Sequence, residues 1–315
     1  MAAVSALIIT RNRKEALGRV LDRLEPLPVD EVLVADNGST DGTQDEVRRR
    51  GGKIRLLELG ENLGTAGRNR AAEAASGELL LLLDDDSYPL PGTVERLVEA
   101  FAAKPRLGAA GGLVRDVDLE GKVLLERELG TFDWWLRAGR DGDFPDGLPA
   151  FFFPEGASML RKEAFVEAGG FFEPYFIGSE GLDLAVRLTG LGWEVRYYPD
   201  AVFEHLKDPQ RQGTDESLYY RIRNHLWFLW LRYPTSIALR RTAAYLTFDL
   251  VEATYRRAPG AWLRAVRDAW RLRDEVRGER RPLAREALRR AELNRGRMHL
   301  RLLVGQVVKR LPGGR

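Results

Sequence analysis

The first half of this sequence predicts a doubly wound α/β fold with a mostly parallel sheet between two layers of helices. Three observations support this. Short apolar runs rich in leucine and β-branched residues alternate with helical stretches. The runs are apolar on both faces, as strands covered by helices must be. Polar clusters directly follow three of the runs, and open parallel sheets bind ligands at the carboxyl ends of their strands.

The elements follow in order along the chain. Strands are predicted at residues 4–9, 31–35, 54–57 and 79–83, and helices at 14–24, 43–50, 67–76 and 93–103. A hairpin is predicted from strands at 113–117 and 122–125, followed by a strand at 151–153, helices near 162–168 and 182–189 and a strand at 194–198. Beyond residue 215 the sequence predicts long arginine-rich helices with a break at residues 258–260.

Composition and charge divide the chain in two. Its 315 residues are 44% hydrophobic and 30% charged, which indicates a folded globular protein rather than a disordered one. The absence of cysteine excludes disulfides, thiolate metal sites and a cysteine nucleophile. The net charge is +2, but residues 1–216 carry −13 and residues 217–315 carry +15. We therefore expect an acidic α/β domain at 1–216 and a basic, mainly helical region at 217–315.

The three polar clusters are the candidate site. The first strand is followed by Thr10 and Asn12, the second by Asp36 and the fourth by three consecutive acids, Asp84 to Asp86. Three adjacent carboxylates repel one another unless a cation offsets their charge. Oxygen ligands of this kind suit Mg²⁺ or Mn²⁺, above all an ion shared with the phosphates of a substrate.

The order of the motifs resembles that of the family-two glycosyltransferases, which are inverting enzymes of the GT-A fold. The resemblance covers nearly two-thirds of the chain, from about Val4 to His205, and its motifs lie at residues 35–43, 61–69, 83–86, 156–161, 169–171, 180–188 and 198–205. It implies a nucleoside diphosphate sugar, of the UDP or dTDP type, as donor. No Gly-x-Gly-x-x-Gly follows the first strand, which argues against a dinucleotide-dependent oxidoreductase.

The resemblance also implies roles for individual residues. Asp36 would bind the pyrimidine ring, with Thr10 and Asn12 lining the same pocket. Asp84 and Asp86 match the family's Asp-x-Asp motif, with Asp86 on the metal and Asp84 on the ribose or on a water bound to the metal. The resemblance further places Arg68 near the nucleobase or the diphosphate and Asp85 in the donor site. His205 matches the metal-binding histidine that comes late in the family's sequence pattern.

The general base departs from the family pattern. The usual Glu-Asp-x-Asp-Leu reads Glu180-Gly181-Leu182-Asp183-Leu184 here, and glycine cannot accept a proton. Either Glu180 or Asp183 takes the role, or the chain is impaired in the usual reaction. We favour Glu180, because Asp183 suits a structural pairing with Arg187 four residues on.

Other residues are candidates for the acceptor and the diphosphate. Trp134 and Trp135 could stack on a sugar ring or belong to the core. Glu155 and Gly156 lie where the family contacts the acceptor or donor sugar. Arg221, Arg223 and Asn224 resemble an Arg-Asn segment that follows the catalytic domain, and they are candidates for the diphosphate or for a solvated helix face.

The basic region predicts a surface for anionic lipid within residues 236–315. Trp262, Leu263, Val266, Ala269 and Trp270 recur at helical spacing among arginines, which suits a helix in a membrane interface. The same pattern suits packing on the domain itself or on a second copy in a homodimer. The sequence contains no recognised DNA- or RNA-binding motif. Positive charge is therefore the sole argument for nucleic-acid binding, and we do not expect it. With no leader or spanning segment predicted, we expect a cytoplasmic protein, peripheral on the inner face of the membrane.

Two functions follow from the sequence. The first is an inverting, metal-dependent glycosyltransferase that adds a sugar to a glycan or glycolipid acceptor. The second is a catalytically weak protein that binds sugar nucleotides and acts as a partner or regulator. The reason to consider it is Gly181, which stands where the family usually has its general base. Detection of a transferred sugar separates the two.

Overall fold

The computed structural model describes residues 2–127, 145–207 and 215–292. The strands found there are β1 Val4–Thr10, β2 Glu31–Asp36, β3 Ile54–Glu58, β4 Leu79–Asp84, β5 Ser87–Pro89, β6 Leu107–Val117, β7 Val123–Arg127, β8 Leu148–Pro149, β9 Ala157–Arg161 and β10 Glu194–Leu206. The helices found there are α1 Lys14–Leu24, α2 Thr43–Arg50, α3 Gly67–Ala74, α4 Thr93–Ala103, α5 Lys162–Glu167, α6 Glu180–Gly190, α7 Asp215–Arg232, α8 Thr235–Tyr255, α9 Pro259–Arg271, α10 Arg273–Arg277 and α11 Arg285–Glu292.

Over the described residues, the strands form one sheet in the order β3-β2-β1-β4-β9-β6-β10-β5. Strands β3, β2, β1 and β4 are parallel, as are β6 and β10. β9 runs antiparallel between β4 and β6, while β7 extends β6 and β8 pairs with β10. The parallel half places the carboxyl ends of β1, β2 and β4 side by side, which gathers the polar clusters at one edge.

Alternation along the central strands supplies two cores, one on each face of the sheet. In β1, Ala6 and Ile8 belong to one hydrophobic cluster and Leu7 to the other. In β4, Leu81 and Leu83 face the first cluster, whereas Leu80 and Leu82 face the second. Leucine on both faces of β4 is therefore explained by burial between two helical layers.

The predicted elements of the first hundred residues are confirmed within two residues at each end. β6 begins at Leu107 rather than at 113, and its early part carries Gly108, Gly111 and Gly112, which hide a strand from pattern analysis. These glycines let other groups approach the backbone, and a β-carbon at Gly108 would lie 2.9 Å from that of Trp193. The strand predicted at 151–153 is wrong. This aromatic run is irregular, buries Phe153, and is followed by Pro154, which has no N–H for a sheet.

The basic region is helical, as expected, and it packs on the α/β part. Helices α7 to α11 share a third hydrophobic cluster with Tyr175 and with Val186 of α6. A break between two helices is confirmed here, but it lies at residues 256–258, and Pro259 and Gly260 already begin α9. None of the helices described is long and apolar enough to cross a bilayer.

Candidate functional site

Asp36 ends β2 with a carboxylate that is only half satisfied. Its Oδ1 accepts hydrogen bonds from the backbone N–H of Ser39 at 2.9 Å and from Nε2 of Gln44 at 2.7 Å. Its Oδ2 is buried and has no hydrogen-bond partner among the described residues. A buried carboxylate oxygen without a partner costs free energy, and a donor on a bound ligand would remove that cost. Asp36 is thus suited to bind an N–H group of a ligand.

Asn12 connects the ends of β1 and β2. It has a positive φ of 52°, and its backbone N–H donates to Ser39 Oγ at 2.9 Å. Its side-chain Oδ1 accepts the backbone N–H of Thr40 at 2.7 Å. These contacts fix the loop next to Asp36, so that the two polar clusters form one wall.

The acidic cluster after β4 is held from the β1 side. Thr10 Oγ1 donates to Asp85 Oδ2 at 2.9 Å, and Arg13 lies 3.3 Å from Asp85 Oδ1 and 2.6 Å from Asp86 Oδ2. Burial raises the pKa of Asp85 to about 7, although Arg13 opposes the shift. Arg13 therefore supplies part of the charge compensation that the three carboxylates need, which sequence reasoning did not assign to it.

Strand register brings His205 to the acidic cluster. In β10, His205 pairs across the sheet with Ser87 of β5 and with Asp116 of β6. Its Nδ1 lies 2.7 Å from Asp116 Oδ1, and its Nε2 lies 3.4 Å from Asp86 Oδ1. Burial opposes the charged imidazole, but Asp86 and Asp116 outweigh it and raise the pKa of His205.

Asp86 and His205 fit the ligand set expected for a hard divalent cation. No three or more His, Asp or Glu side chains in the described ranges surround a common metal position. Mg²⁺ is commonly held by one or two carboxylates, with water and substrate phosphates as its other ligands. The hydrogen bond of His205 to Asp116 is of the kind that orients an imidazole for metal binding in other proteins. The chemistry of these donors is therefore compatible with a cation shared with a diphosphate.

Arg68 lies beneath the cluster and is almost fully buried. Its Nη2 forms an ion pair with Asp84 Oδ1 and approaches the carbonyl oxygen of Leu83 at 3.3 Å. Arg68 Nε has no hydrogen-bond partner among the described residues. Gly156 packs on the other side of Asp84, where a β-carbon would collide with its carboxylate. The predicted Arg68, Asp84 and Gly156 thus meet at one point.

Glu180, at the start of α6, faces a second carboxylate. Glu155 Oε1 accepts the backbone N–H of Gly181 at 2.7 Å. Burial, with the charge of Glu155, raises the pKa of Glu180 to about 8. Burial also raises the pKa of Glu155. Two carboxyl groups and the Arg68 guanidinium therefore lie near Asp84.

Asp183, one turn further along α6, is engaged in ion pairs. It lies 2.8 Å from Arg187 Nε and 2.5 Å from Arg232 Nε. Burial opposes its ionised form, but the two guanidinium groups outweigh burial and lower the pKa of Asp183. Since Arg232 ends α7, this carboxylate joins the α/β part to the basic helices.

The Arg-Asn segment of α7 contacts protein groups. Arg221 forms ion pairs with Asp249 and Glu252 of α8, at 3.3 and 2.7 Å. Arg223 Nη2 donates to the carbonyl oxygen of Tyr175 at 2.9 Å. Asn224 Nδ2 donates to the carbonyl oxygens of residues 175, 177 and 178. Arg223 and Asn224 thereby hold the segment that leads into Glu180, and their diphosphate contact stays a prediction.

The remaining candidates divide between core and surface. Trp134 and Trp135 lie outside the described residues. In α9, Trp262 donates from its indole N–H to the carbonyl oxygen of Leu246, and Val266 packs against the third hydrophobic cluster, which helices α7 to α11 share. Trp270 is 70% exposed. The apolar stripe predicted in this helix is therefore partly core and partly surface.

Three functional contacts were not predicted from the sequence. They are the pairing of Arg13 with the acidic cluster, the hydrogen bond of Asp116 to His205, and the contact of Glu155 with Gly181. Arg13 lies three residues after the end of β1, and that position was its only sequence signal. The other two depend on strand register and on packing between distant segments.

Comparison with known proteins gives a consistent result. Residues 5–169 match the sequence model of one family, Glycosyl transferase family 2. The chain is 30% identical over 273 residues to N-acetylglucosaminyl-diphospho-decaprenol L-rhamnosyltransferase of Mycobacterium tuberculosis, an alignment that covers 75% of this chain and 88% of that protein. It is 37% identical over 226 residues to validoxylamine A glucosyltransferase of Streptomyces hygroscopicus subsp. limoneus, covering 60% of this chain and 48% of that protein.

Solved structures resemble the fold. A mannosyltransferase from Pyrobaculum calidifontis in complex with GDP-Man and Mn²⁺ aligns with a TM-score of 0.57 at 18% identity, over 85% of this chain and 87% of that one. GalNAc-T7 with UDP, GalNAc and Mn²⁺ aligns with a TM-score of 0.60 at 14% identity, over 75% of this chain and 49% of that one. At these identities the likeness is one of fold, and it confirms the fold class predicted from the sequence.

Proposed function

The chain belongs to glycosyl transferase family 2 and is a glycosyltransferase, and we propose that it is an inverting enzyme that depends on a divalent cation. The observation that carries this proposal is the convergence of Asp36, Asp86 and His205 at one sheet edge. Such an edge offers a hydrogen-bond acceptor for a nucleobase and ligands for a cation that would bind a diphosphate. The acceptor is a glycan or glycolipid of the cell surface.

The donor is a nucleoside diphosphate sugar of the UDP or dTDP type. The unpartnered Oδ2 of Asp36 suits the ring N–H of uracil or thymine, which is a hydrogen-bond donor. Thr10, Asn12 and Asp85 shape the same wall through their contacts with one another and with the β2 loop. Arg68 and Asp84 then lie on the side of the ribose and diphosphate.

Mn²⁺ or Mg²⁺ is held by Asp86 and His205. When bound, the cation stabilises the negative charge that develops on the leaving diphosphate. Asp116 orients the imidazole of His205, and Arg13 fixes the carboxylate of Asp86. The reaction also needs a general base. The sequence favours Glu180 at the start of α6, and the fold adds Glu155 beside it as a second candidate. Asp183 positions that helix through its two arginines.

The acceptor is a sugar carried on a prenyl diphosphate. Support comes from the relative that is similar over 88% of its length, whose name specifies an N-acetylglucosaminyl-diphospho-decaprenol acceptor. Trp134, Trp135, Glu155 and Gly156 are the proposed acceptor contacts.

A membrane contact through residues 236–315 would bring the enzyme to such an acceptor. Tyr255, Leu263 and Trp270 are between 60% and 70% exposed, and Arg273 lies over the Trp270 ring at 4.5 Å. Exposed aromatic residues beside arginine suit the interface of an anionic bilayer. The Leu263→Ser/Trp270→Ser variant should float less with anionic liposomes than the parent, and equal flotation would remove this part of the proposal.

The donor and metal sites are tested by calorimetric titration of UDP and of dTDP, with Mn²⁺ and with EDTA. The parent should bind one of these nucleotides more tightly with Mn²⁺. Asp86→Ala should lose at least about tenfold of that metal-dependent affinity, whereas Asp45→Asn, at an exposed position on α2, should keep it. The same metal dependence in Asp86→Ala and the parent would exclude Asp86 as a ligand.

A further inference from the structure

The absent side chain of Gly181 is replaced in space by a carboxylate from another segment. A β-carbon at position 181 would lie 2.5 Å from Glu155 Oε1 and 2.7 Å from the carbonyl oxygen of Phe153. The segment that contains Glu155 precedes β9 and is 26 residues away in sequence. A larger residue at position 181 would therefore displace the Glu155 carboxylate and collide with the backbone of Phe153.

Glu155 lies among the reactive groups. The next residue, Gly156, packs on the carboxylate of Asp84. The charged groups that act on Glu155 are Arg68 from α3 and Asp84 from the end of β4. Glu180 is subject to the same two groups and to Glu155 itself. The carboxylate thus lies between the Asp-x-Asp motif and the start of α6.

We propose that Glu155 is the general base of this enzyme and acts from the position that Gly181 leaves open. This inference rests on the proposed function. In the step, the acceptor hydroxyl gives its proton to a carboxylate oxygen of Glu155, and its oxygen forms a bond to the anomeric carbon. The bond from that carbon to the diphosphate breaks, and the diphosphate leaves with the electron pair.

Hydrogen bonding favours Glu155 over Glu180 for this role. Glu155 accepts the N–H of Gly181 at the start of α6, which stabilises its charged form. Glu180 Oε2 is buried and has no hydrogen-bond partner among the described residues. Of two facing carboxyl groups, the better stabilised one ionises first. Glu180 therefore holds the proton at neutral pH, and a base must be without one.

Two matched variants separate these carboxylates. The readouts are transfer to N-acetylglucosaminyl-diphospho-prenol and donor hydrolysis by water, with a panel of UDP- and dTDP-sugars and Mn²⁺. Glu155→Gln should lose about 10²–10⁴-fold in kcat with unchanged nucleotide affinity. Glu180→Gln resembles the protonated residue and should stay within about tenfold of the parent, as should Glu163→Gln on the exposed side of α5. The reverse ranking, or full activity in Glu155→Gln, would overturn the proposal.

A readout without turnover distinguishes failure of this inference from failure of the proposed function. Isotope-edited infrared titration of Glu180 should show a lower pKa in Glu155→Gln than in the parent, because the neighbouring negative charge is gone. An unchanged pKa would show that the two carboxyl groups do not interact, and the inference would fall. If instead the shift appears but the parent turns over no donor, the proposed function fails while the carboxylate pair stands.

Discussion

Glu180 and Asp183 lie one turn apart on the same helix and are both buried, yet their surroundings differ. Asp183 is paired with two guanidinium groups, one from its own helix and one from α7. Glu180 faces another carboxyl group and leaves one oxygen without a hydrogen-bond partner among the described residues. Burial alone therefore does not assign a role to a carboxylate. A carboxylate balanced by guanidinium groups indicates a structural contact, whereas a pair of carboxyl groups with raised pKa values is typical of a reactive site.

The largest expected effect comes from removing the charge of Asp183, the carboxylate that is paired with two arginines. Asp183→Asn leaves Arg187 and Arg232 buried without their counter-charge, which should cost about 3–5 kcal/mol of unfolding free energy. Chemical denaturation at neutral pH measures it, with Glu163→Gln as a control that should unfold like the parent. A decrease in unfolding free energy of less than about 1 kcal/mol would show that these ion pairs do not stabilise the contact between α6 and α7.

The same pair has a defined pH dependence. The pKa of Asp183 is lowered in the folded protein, so its contribution is present above the ordinary value of 3.8 and is lost as the pH falls through the folded value. The penalty of Asp183→Asn should therefore shrink in acid. A penalty that is constant with pH would indicate lost packing rather than lost charge.

Glu180 should change the stability of the protein with pH in the opposite direction to Asp183. The pKa of Glu180 rises from an ordinary 4.5 to about 8 on folding, so its contribution to stability is present below 4.5 and is lost as the pH rises towards 8. Glu180→Gln avoids this loss. Thermal denaturation of both proteins between pH 5 and 8 should show the variant gaining on the parent as pH rises, whereas parallel curves would contradict the unpaired state of Glu180.

The smallest effect is expected at the surface of the basic region. Arg221 is 44% exposed in its ion pairs with Asp249 and Glu252. Its replacement by alanine should cost about 0.5–1 kcal/mol, because solvent screens the Arg221 side of these pairs. Asp249, whose pKa burial raises to about 6, can take up a proton when Arg221 is removed. UDP and dTDP affinity should not change, since the observed contacts of Arg221 join α7 to α8. A large loss of nucleotide affinity would restore its role at the diphosphate.

Local patterns predicted the parallel half of the fold well. Strand alternation and the acids after β2 and β4 are encoded within a few residues, so that Asp36 and Asp86 could be proposed as site residues from the sequence. β6 was predicted too short because its glycines serve the close approach of distant groups such as Trp193. The run at 151–153 was assigned wrongly because hydrophobicity alone does not distinguish a buried irregular segment from a strand.

The carboxylates proposed for catalysis were harder to predict, because their contacts join distant segments of the chain. Gly181 looked like the loss of a base, and only the fold shows that Glu155 occupies the space beside it. The structural role suggested for Asp183 through Arg187 agrees with the observed ion pair, since it depends on helical spacing. Its second partner, Arg232, lies 49 residues away, and no local pattern could have found it.

Product formation tests the central claim most directly. The parent, with Mn²⁺ and a panel of UDP- and dTDP-sugars, is incubated with N-acetylglucosaminyl-diphospho-prenol, and the lipid fraction is analysed by mass spectrometry. We predict a lipid heavier by one sugar residue with at least one donor, and its absence with Asp86→Ala. Tight nucleotide binding by the parent with neither transfer nor donor hydrolysis would contradict an active transferase and would favour a sugar-nucleotide-binding partner protein.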